Sequence, residues 1–230
     1  MDAAAFDALR AAVEADVRAA LAAHDASHDW GHVARVRAMA LRLARESAGD
    51  ADAGLLQAVE LGALLHDIAD WKYGGSDEGN ARSAEAALRR HGAGDALVAR
   101  VLRVVEGVSF SGELGGGVPA ELPLDAALVQ DADRLEAIGA IGVARCFTYG
   151  GAKRRPLHDP AVAPLPPAVL STAAYRDAGR VHTTINHFHE KLLTLRDRMK
   201  TPAGRRVAEA RHAFTERFLA QFLAEWDGLQ

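Results

Sequence analysis

Apolar residues recur every three to four positions along much of the chain. Phe6, Leu9, Val13, Val17 and Leu21 do so first, followed by Val33, Val36, Ala40 and Leu43, and then by Leu55, Val59 and Ala63. This is the period of an α-helix with one buried face. A longer stripe of the same kind, Val207, Ala210, Phe214, Phe218, Phe222 and Trp226, lies near the C-terminus, and every stripe is expected to face a core. β-Branched runs are short, and alanine, the strongest helix former, fills 49 of 230 positions. The pattern predicts an all-α fold in a single domain over residues 1–230. About eight to ten helices are expected, with those over about 180–228 packed on the rest.

Gly74-Gly75, Gly92 with Gly94, and the stretch from Ser111 to Pro123 read as loops. The longest irregular piece runs from about Gly150 to Gly179 and holds five of the eight prolines. A loop of that length in a compact domain suits a lid or binding segment, and its prolines should let it swing as a unit about its glycine ends. The charge balance, 27 Lys+Arg against 31 Asp+Glu for a net −4, with 49% hydrophobic residues, excludes wholesale disorder. It also speaks against a stable nucleic-acid complex. No run approaches the roughly 18 apolar residues of a membrane span, and Asp2 and Asp7 stand where a leader would be basic and then apolar. A cytoplasmic protein with no membrane partner is expected. Cys146 is the lone cysteine, so neither an intramolecular disulfide nor an all-cysteine metal site can form.

His-Asp occurs four times, at His24-Asp25, His28-Asp29, His66-Asp67 and His158-Asp159, so the dipeptide alone says little. Context separates them. His66-Asp67 follows Leu61-Gly62-Ala63-Leu64-Leu65, and a buried imidazole and carboxylate there need hydrogen-bond partners or a metal. Neighbours on a helix diverge by about 100°, so His66 and Asp67 can share one ion only if other helices supply the remaining ligands. His32, at the start of an amphipathic stretch, and Asp133, in Gln130-Asp131-Ala132-Asp133-Arg134-Leu135, are the candidates. Two imidazoles and two carboxylates would suit Mn²⁺, Fe²⁺, Co²⁺ or Zn²⁺ better than Mg²⁺.

The ordered set His32, His66-Asp67 and Asp133 resembles the H…HD…D signature of the HD superfamily of metal-dependent phosphohydrolases. The words around it resemble the small bacterial YedJ/YpgQ-like branch: His28-Asp29-Trp30, Leu65-His66-Asp67-Ile68-Ala69-Asp70, and Gln130 through Gly142. The likeness continues through His187-Phe188-His189-Glu190-Lys191-Leu192-Leu193 and the helix from Arg211-His212 to Trp226. It implies an HD-type helical bundle with His32, His66, Asp67 and Asp133 as metal ligands. The resemblance places the last ligand one residue before Arg134-Leu135, and Asp131, about 200° away on a helix, is left a supporting or helix-start role. Binuclear members carry extra histidines between the HD pair and the last aspartate. Here that interval holds only His91, which reads as a solvated helix end, so one divalent ion is expected. Mn²⁺ comes first, with Fe²⁺, Co²⁺, Ni²⁺, Zn²⁺ or Mg²⁺ as alternatives.

The resemblance further implies attack of metal-activated water on phosphorus, with a nucleoside or deoxynucleoside triphosphate as the leading substrate and pyrophosphohydrolysis as the leading reaction. Asp70 is the expected proton-transfer group, with His28 and Asp29 as alternatives for orienting ligand or water. Developing phosphate charge calls for cations. Lys72, notable in a chain with only 4 lysines, stands beside the site, and Arg35, Arg145, Lys153, Arg154, Lys191 and Arg211 are the expected substrate contacts, with Arg155 completing a basic trio. Trp30, Trp71 and Tyr73 flank the ligands as stacking or packing residues. Two other readings stay open, a regulatory ligand-binding module without turnover and a non-haem iron oxygenase. Monomer and homodimer are both compatible with the sequence.

Overall fold

A computed structural model of the chain describes residues 1–48, 52–69, 74–116, 121–166, 169–177 and 179–229. The described residues form eleven α-helices and no strand, one more helix than the upper expectation because two five-residue helices join the longer ones. Most helices begin where a side-chain oxygen takes an otherwise orphaned amide. Asp2 accepts from the Ala5 amide at 2.8 Å, Asp52 from Leu55 at 2.8 Å, Ser76 from Gly79 at 2.9 Å and Thr201 from Gly204 at 2.9 Å. By its packing the chain divides into two compact units, one of residues 1–24 and 28–133, the other of 25–27 and 134–230.

The first unit holds α1 (Ala3–Ala20), α2 (Trp30–Ala48), α3 (Ala53–Leu65), α4 (Asp77–Arg90), α5 (Asp95–Val108), α6 (Phe110–Leu114) and most of α7 (Leu124–Glu136). The three N-terminal apolar stripes are buried as their spacing predicted. Val13 and Val17 of α1, Leu61, Leu64 and Leu65 of α3, Leu88 of α4 and Val101 of α5 belong to one core cluster. α3 is its axis, packing on α1, α2 and α5. A Cβ on Gly62 would collide with the Val104 side chain, so this glycine sets how closely α3 and α5 approach. α7 is tied to α5 by Gln130 Nε2 donating to the Gly107 carbonyl at 2.7 Å and by Arg100 Nε donating to Asp125 Oδ2 at 2.6 Å. Ser111 to Leu114, expected as loop, is helical: the Ser109 hydroxyl caps α6 by accepting from the Gly112 amide.

The second unit contains α8 (Gly139–Ala152), α9 (Thr172–Arg176), α10 (Thr184–Glu190), two 3₁₀ turns (Leu192–Thr194 and Arg196–Arg198) and α11 (Pro202–Trp226). The C-terminal aromatic stripe is not the core face that its spacing predicted. α11 buries Ala203, Gly204, Ala208, His212, Thr215 and Leu219. Small residues let α11 lie close to α8, and the aromatics are displaced to its flank. Phe218 stacks on Phe188 at 5.9 Å between centroids, while Phe214 and Trp226 are 37% and 45% exposed. Burial pushes the Cys146 thiol of α8 up to about 12, which disfavours its thiolate.

The proline-rich segment is likewise not the swinging lid of the sequence reading. The Pro156 and Leu157 carbonyls accept from the Thr184 and Ile185 amides, which open α10 and have no partner within it. Asn186 Nδ2 donates to the Val162 carbonyl at 2.8 Å, and the Leu165 amide donates to Glu190 Oε1 at 3.0 Å. Burial would raise the Glu190 carboxyl, but the Arg180 guanidinium, 2.7 and 2.9 Å from its two oxygens, and the Leu165 amide hold it below its ordinary range. Pro156 and Leu157 thus present carbonyls to a helix start, and the segment is tied to α10 between Pro156 and Leu165. Lys153, Arg154 and Arg155 end α8 as a Schellman motif: the Arg154 amide donates to Gly151 O, and the Arg155 amide to Gly150 O. Arg154 takes the left-handed position of that motif at φ 54. Arg154→Gly should therefore stabilise the protein by about 0.5–1 kcal/mol, because glycine adopts this conformation without a Cβ penalty. Thermal or urea unfolding that shows a loss of stability instead would mean that the Arg154 side chain contributes more than its backbone costs.

Candidate metal centre

Three chain segments of the first unit bring their side chains to one point. Asp29 caps α2, its Oδ1 accepting from the His32 amide at 3.0 Å, and thereby fixes the first turn on which His32 sits. A side chain at Gly31 would crowd that cap. A Cβ on it would lie 3.0 Å from Asp29 Oδ1 and 3.2 Å from Arg35 Nη1. His66 stands where α3 stops, in a turn that begins with the Ile68 amide donating to the Leu65 carbonyl. Its Nδ1 donates to the Ala63 carbonyl at 2.8 Å. That bond satisfies a helix-end carbonyl and leaves the lone pair on Nε2. Because α3 ends at Leu65, Asp67 is freed from the 100° step of a continued helix. It lies in the turn, and its Oδ2 is 3.5 Å from His66 Nε2.

His32 Nε2 lies 3.3 Å from His66 Nε2, 3.7 Å from Asp67 Oδ2 and 3.5 Å from Asp133 Oδ1, and His66 Nε2 is 3.8 Å from Asp133 Oδ1. Metal bonds of about 2.1 Å place donors about 3.0 Å apart at right angles and about 3.4 Å apart at tetrahedral angles, so each of these imidazole–imidazole and imidazole–carboxylate separations is near that of two donors sharing one cation. His32, His66 and Asp133 offer ligand atoms all within 4.8 Å of one another. Exposure is divided. The two imidazoles are sealed at 0%, while the Asp67 and Asp133 side chains retain 22% and 27%. A cation here would be gripped from inside by nitrogen and reached from outside along the carboxylates. Asp67 Oδ2 is close to both imidazoles but is not in that group of three, and Asp131, on the same helix as Asp133, is fully buried and likewise outside it.

The sequence pattern of the HD domain family matches residues 29–138, the stretch that contains all four donors. A Bacillus subtilis protein, YpgQ, is 32% identical over 213 residues, covering 93% of this chain and 91% of its own. The chain belongs to the HD-domain family. A crystal structure from Lactobacillus plantarum matches this HD-domain chain with a TM-score of 0.84 at 30% identity over 99% of both chains. An HD-superfamily hydrolase from Bacillus thuringiensis matches at 0.67 and 33%, over 96% of this chain and 98% of its own. YpgQ solved in complex with ADP matches at 0.68 and 28%, over 96% of both.

The other sequence-derived candidates of this HD-domain protein are variously placed. His28 stacks edge-on against His32 at 5.9 Å, and its carbonyl is 3.2 Å from His24 Nδ1. Arg35 flanks Gly31 beside the Asp29 carboxylate. Trp30 packs on the first unit's core and carries the Arg18 guanidinium 3.9 Å above its ring. His91 does end α4, but it is not simply solvated: its Nε2 meets Asp16 Oδ2 at 2.9 Å. Asp70, Trp71, Lys72 and Tyr73 lie outside the described residues.

In the second unit, Arg145 donates to the Ser27 and Glu136 carbonyls at 2.6 and 3.0 Å, and Arg211 donates to the Leu135 carbonyl at 2.5 Å. Both arginines thus cap the end of α7. Lys153 and Arg155 lie over the Tyr149 ring at 5.6 and 5.1 Å, Arg154 is exposed, and Lys191 caps α10.

One residue near the ligands escaped the sequence reading. Asn80 of α4 binds both sides of the turn that carries His66 and Asp67. Its signal was positional: Asn80, Ala84, Ala87 and Leu88 form the buried face of α4, and a polar residue on an apolar stripe needs partners.

His32→Ala, His66→Ala, Asp67→Ala and Asp133→Ala should each abolish stoichiometric divalent metal in the purified protein, whereas Asp131→Ala should keep most of it. Metal analysis checks this. Full occupancy in any of the four removes that residue from the ligand set, and the opposite behaviour of the two α7 variants exchanges Asp133 for Asp131.

Proposed function

We propose that this chain is a metal-dependent phosphohydrolase acting on nucleotides, with cleavage of a nucleoside or deoxynucleoside triphosphate to monophosphate and pyrophosphate as its leading reaction. The observation that carries the reading is the pairing of two sealed imidazole nitrogens, 3.3 Å apart, with partly exposed Asp67 and Asp133 carboxylate oxygens 3.5 to 3.8 Å from them. HD-family membership and the ADP held by YpgQ support it. Bound among these donors, Mn²⁺ or a similar divalent ion supplies a Lewis acid for phosphoryl oxygens and lowers the pKa of water in contact with it.

The protein's own groups set the conditions for that chemistry. Two neutral imidazoles and two carboxylates contribute a charge of about −2, which a divalent cation cancels, so the loaded centre does not repel a polyphosphate. The sealed histidines fix the position of the centre, and the exposed side of the carboxylates leaves substrate a way in. Asp70 is assigned proton transfer, with His28 as a second orienting group. Lys72, Arg35, Arg145, Lys153, Arg154, Lys191 and Arg211 are carried as the phosphate contacts that the family resemblance implies.

Incubation with a panel of nucleotides and Mn²⁺, with products resolved by chromatography, should show monophosphate and pyrophosphate released by the wild type and not by His66→Ala. Mn²⁺-loaded wild type that turns over no phosphorylated compound overturns the proposal. Asp70→Asn should keep its metal and lose about 10²- to 10⁴-fold in kcat, the usual scale of general acid–base help. A loss below about tenfold removes Asp70 from proton transfer.

A further inference from the structure

The turn from Leu65 to Ala69 carries two of the four proposed donors, yet it is neither helix nor strand. The Ile68 amide donates to the Leu65 carbonyl at 3.3 Å, a long bond. The His66 carbonyl sits at the end of α3, where no later amide of the helix can reach it. Asn80, 14 positions onward in sequence and only 8% exposed, supplies what the turn lacks. Its Nδ2 donates to the His66 carbonyl at 2.6 Å, and its Oδ1 accepts from the Ala69 amide at 2.8 Å. One planar amide thus clamps the turn on both sides of Asp67.

Asn80 is itself rigidly mounted. Ser76 caps α4 through the Gly79 amide, and the Asn80 amide donates to the Ser76 carbonyl at 2.7 Å, so the residue belongs to the first, well-anchored turn of its helix. Ala84, Ala87 and Leu88 continue its face into the core. Only an asparagine-length amide offers a donor and an acceptor in one plane at this depth. Serine has a single oxygen, leucine offers nothing, and aspartate can accept from Ala69 but meets the His66 carbonyl without a hydrogen.

We infer that Asn80 is a positioning residue of the metal centre, setting the His66 ring and the Asp67 carboxylate at the separation that a single divalent ion requires. This rests on the reading of His32, His66, Asp67 and Asp133 as ligands. Asn80 touches neither metal nor substrate. It acts through the backbone on either side of Asp67, and partners of this kind typically govern metal affinity by about 10- to 100-fold.

The test is Co²⁺ titration of metal-free full-length protein, read by chelator competition and by the visible d–d absorption of the bound ion, with helical content followed by circular dichroism. Asn80→Ala and Asn80→Asp should both bind Co²⁺ about 10- to 100-fold more weakly than wild type, with an altered d–d band and unchanged helical content. Asn80→Asp is the sharper variant. Its added negative charge would by itself tighten a cation, so weaker binding reports lost geometry. Folded variants that bind within threefold of wild type overturn the inference, as does loss of the fold in both, which would make Asn80 a residue of the core and not of the centre. His66→Ala separates the two levels. If it binds as tightly as wild type, the ligand reading itself fails; if it loses Co²⁺ while both Asn80 variants keep it, only the role of Asn80 fails.

Discussion

Four electron-rich atoms pointing at one another need a positive charge between them. With Nδ1 of His66 committed to the Ala63 carbonyl, its Nε2 turns a lone pair toward His32 Nε2 at 3.3 Å, and a carboxylate oxygen stands within 3.8 Å on either side. A single proton on an imidazole would serve one contact and leave the others opposed. A divalent cation among His32, His66 and Asp133 would serve them together, with Asp67 beside both imidazoles. The demand is sharpest at the two histidines, which no solvent reaches.

Much of the first unit can be understood as what keeps that demand in place. Gly62 brings α3 against α5, Gln130 and Arg100 tie α7 to the same helix, and Asp29 fixes the start of α2. The three donor-bearing segments are therefore anchored by bonds that do not involve the donors themselves. The end of α3 is the most delicate of them, because the helix has to stop after Leu65 for Asp67 to turn inward. The His66 side chain and Asn80 satisfy the Ala63 and His66 carbonyls that the stopped helix leaves open.

The N-terminal half was legible in the sequence because its helices bury one apolar face each, and periodicity reports that directly. Val13, Val36 and Val59 are all fully buried. The ordered histidines and aspartates were legible for a different reason: they resemble a known signature, which no spacing argument alone would have supplied. α11 was misread because its core face is mostly small or polar, Ala203, Gly204, Ala208, His212 and Thr215 with Leu219 alone as a large apolar residue, while hydrophobicity singles out the aromatics on its flank. The proline-rich segment was misread because composition shows stiffness and says nothing about which amides its carbonyls meet. For Lys153, Arg154 and Arg155 the sequence showed the charge, but not that their backbone also closes a helix, a role carried by conformation. Asn80 was missed because its partners are backbone groups, and those leave no trace in residue identity.

The central claim is that one divalent ion is held jointly by His32, His66, Asp67 and Asp133. Anomalous diffraction from crystals grown with Mn²⁺, recorded on both sides of the manganese absorption edge, tests it most directly. The account predicts one strong manganese peak within bonding distance, about 2.0–2.3 Å, of both Nε2 atoms and of an oxygen from each carboxylate. No manganese peak at that point under saturating Mn²⁺, or a peak bound by Asp131 in place of Asp133, would contradict it.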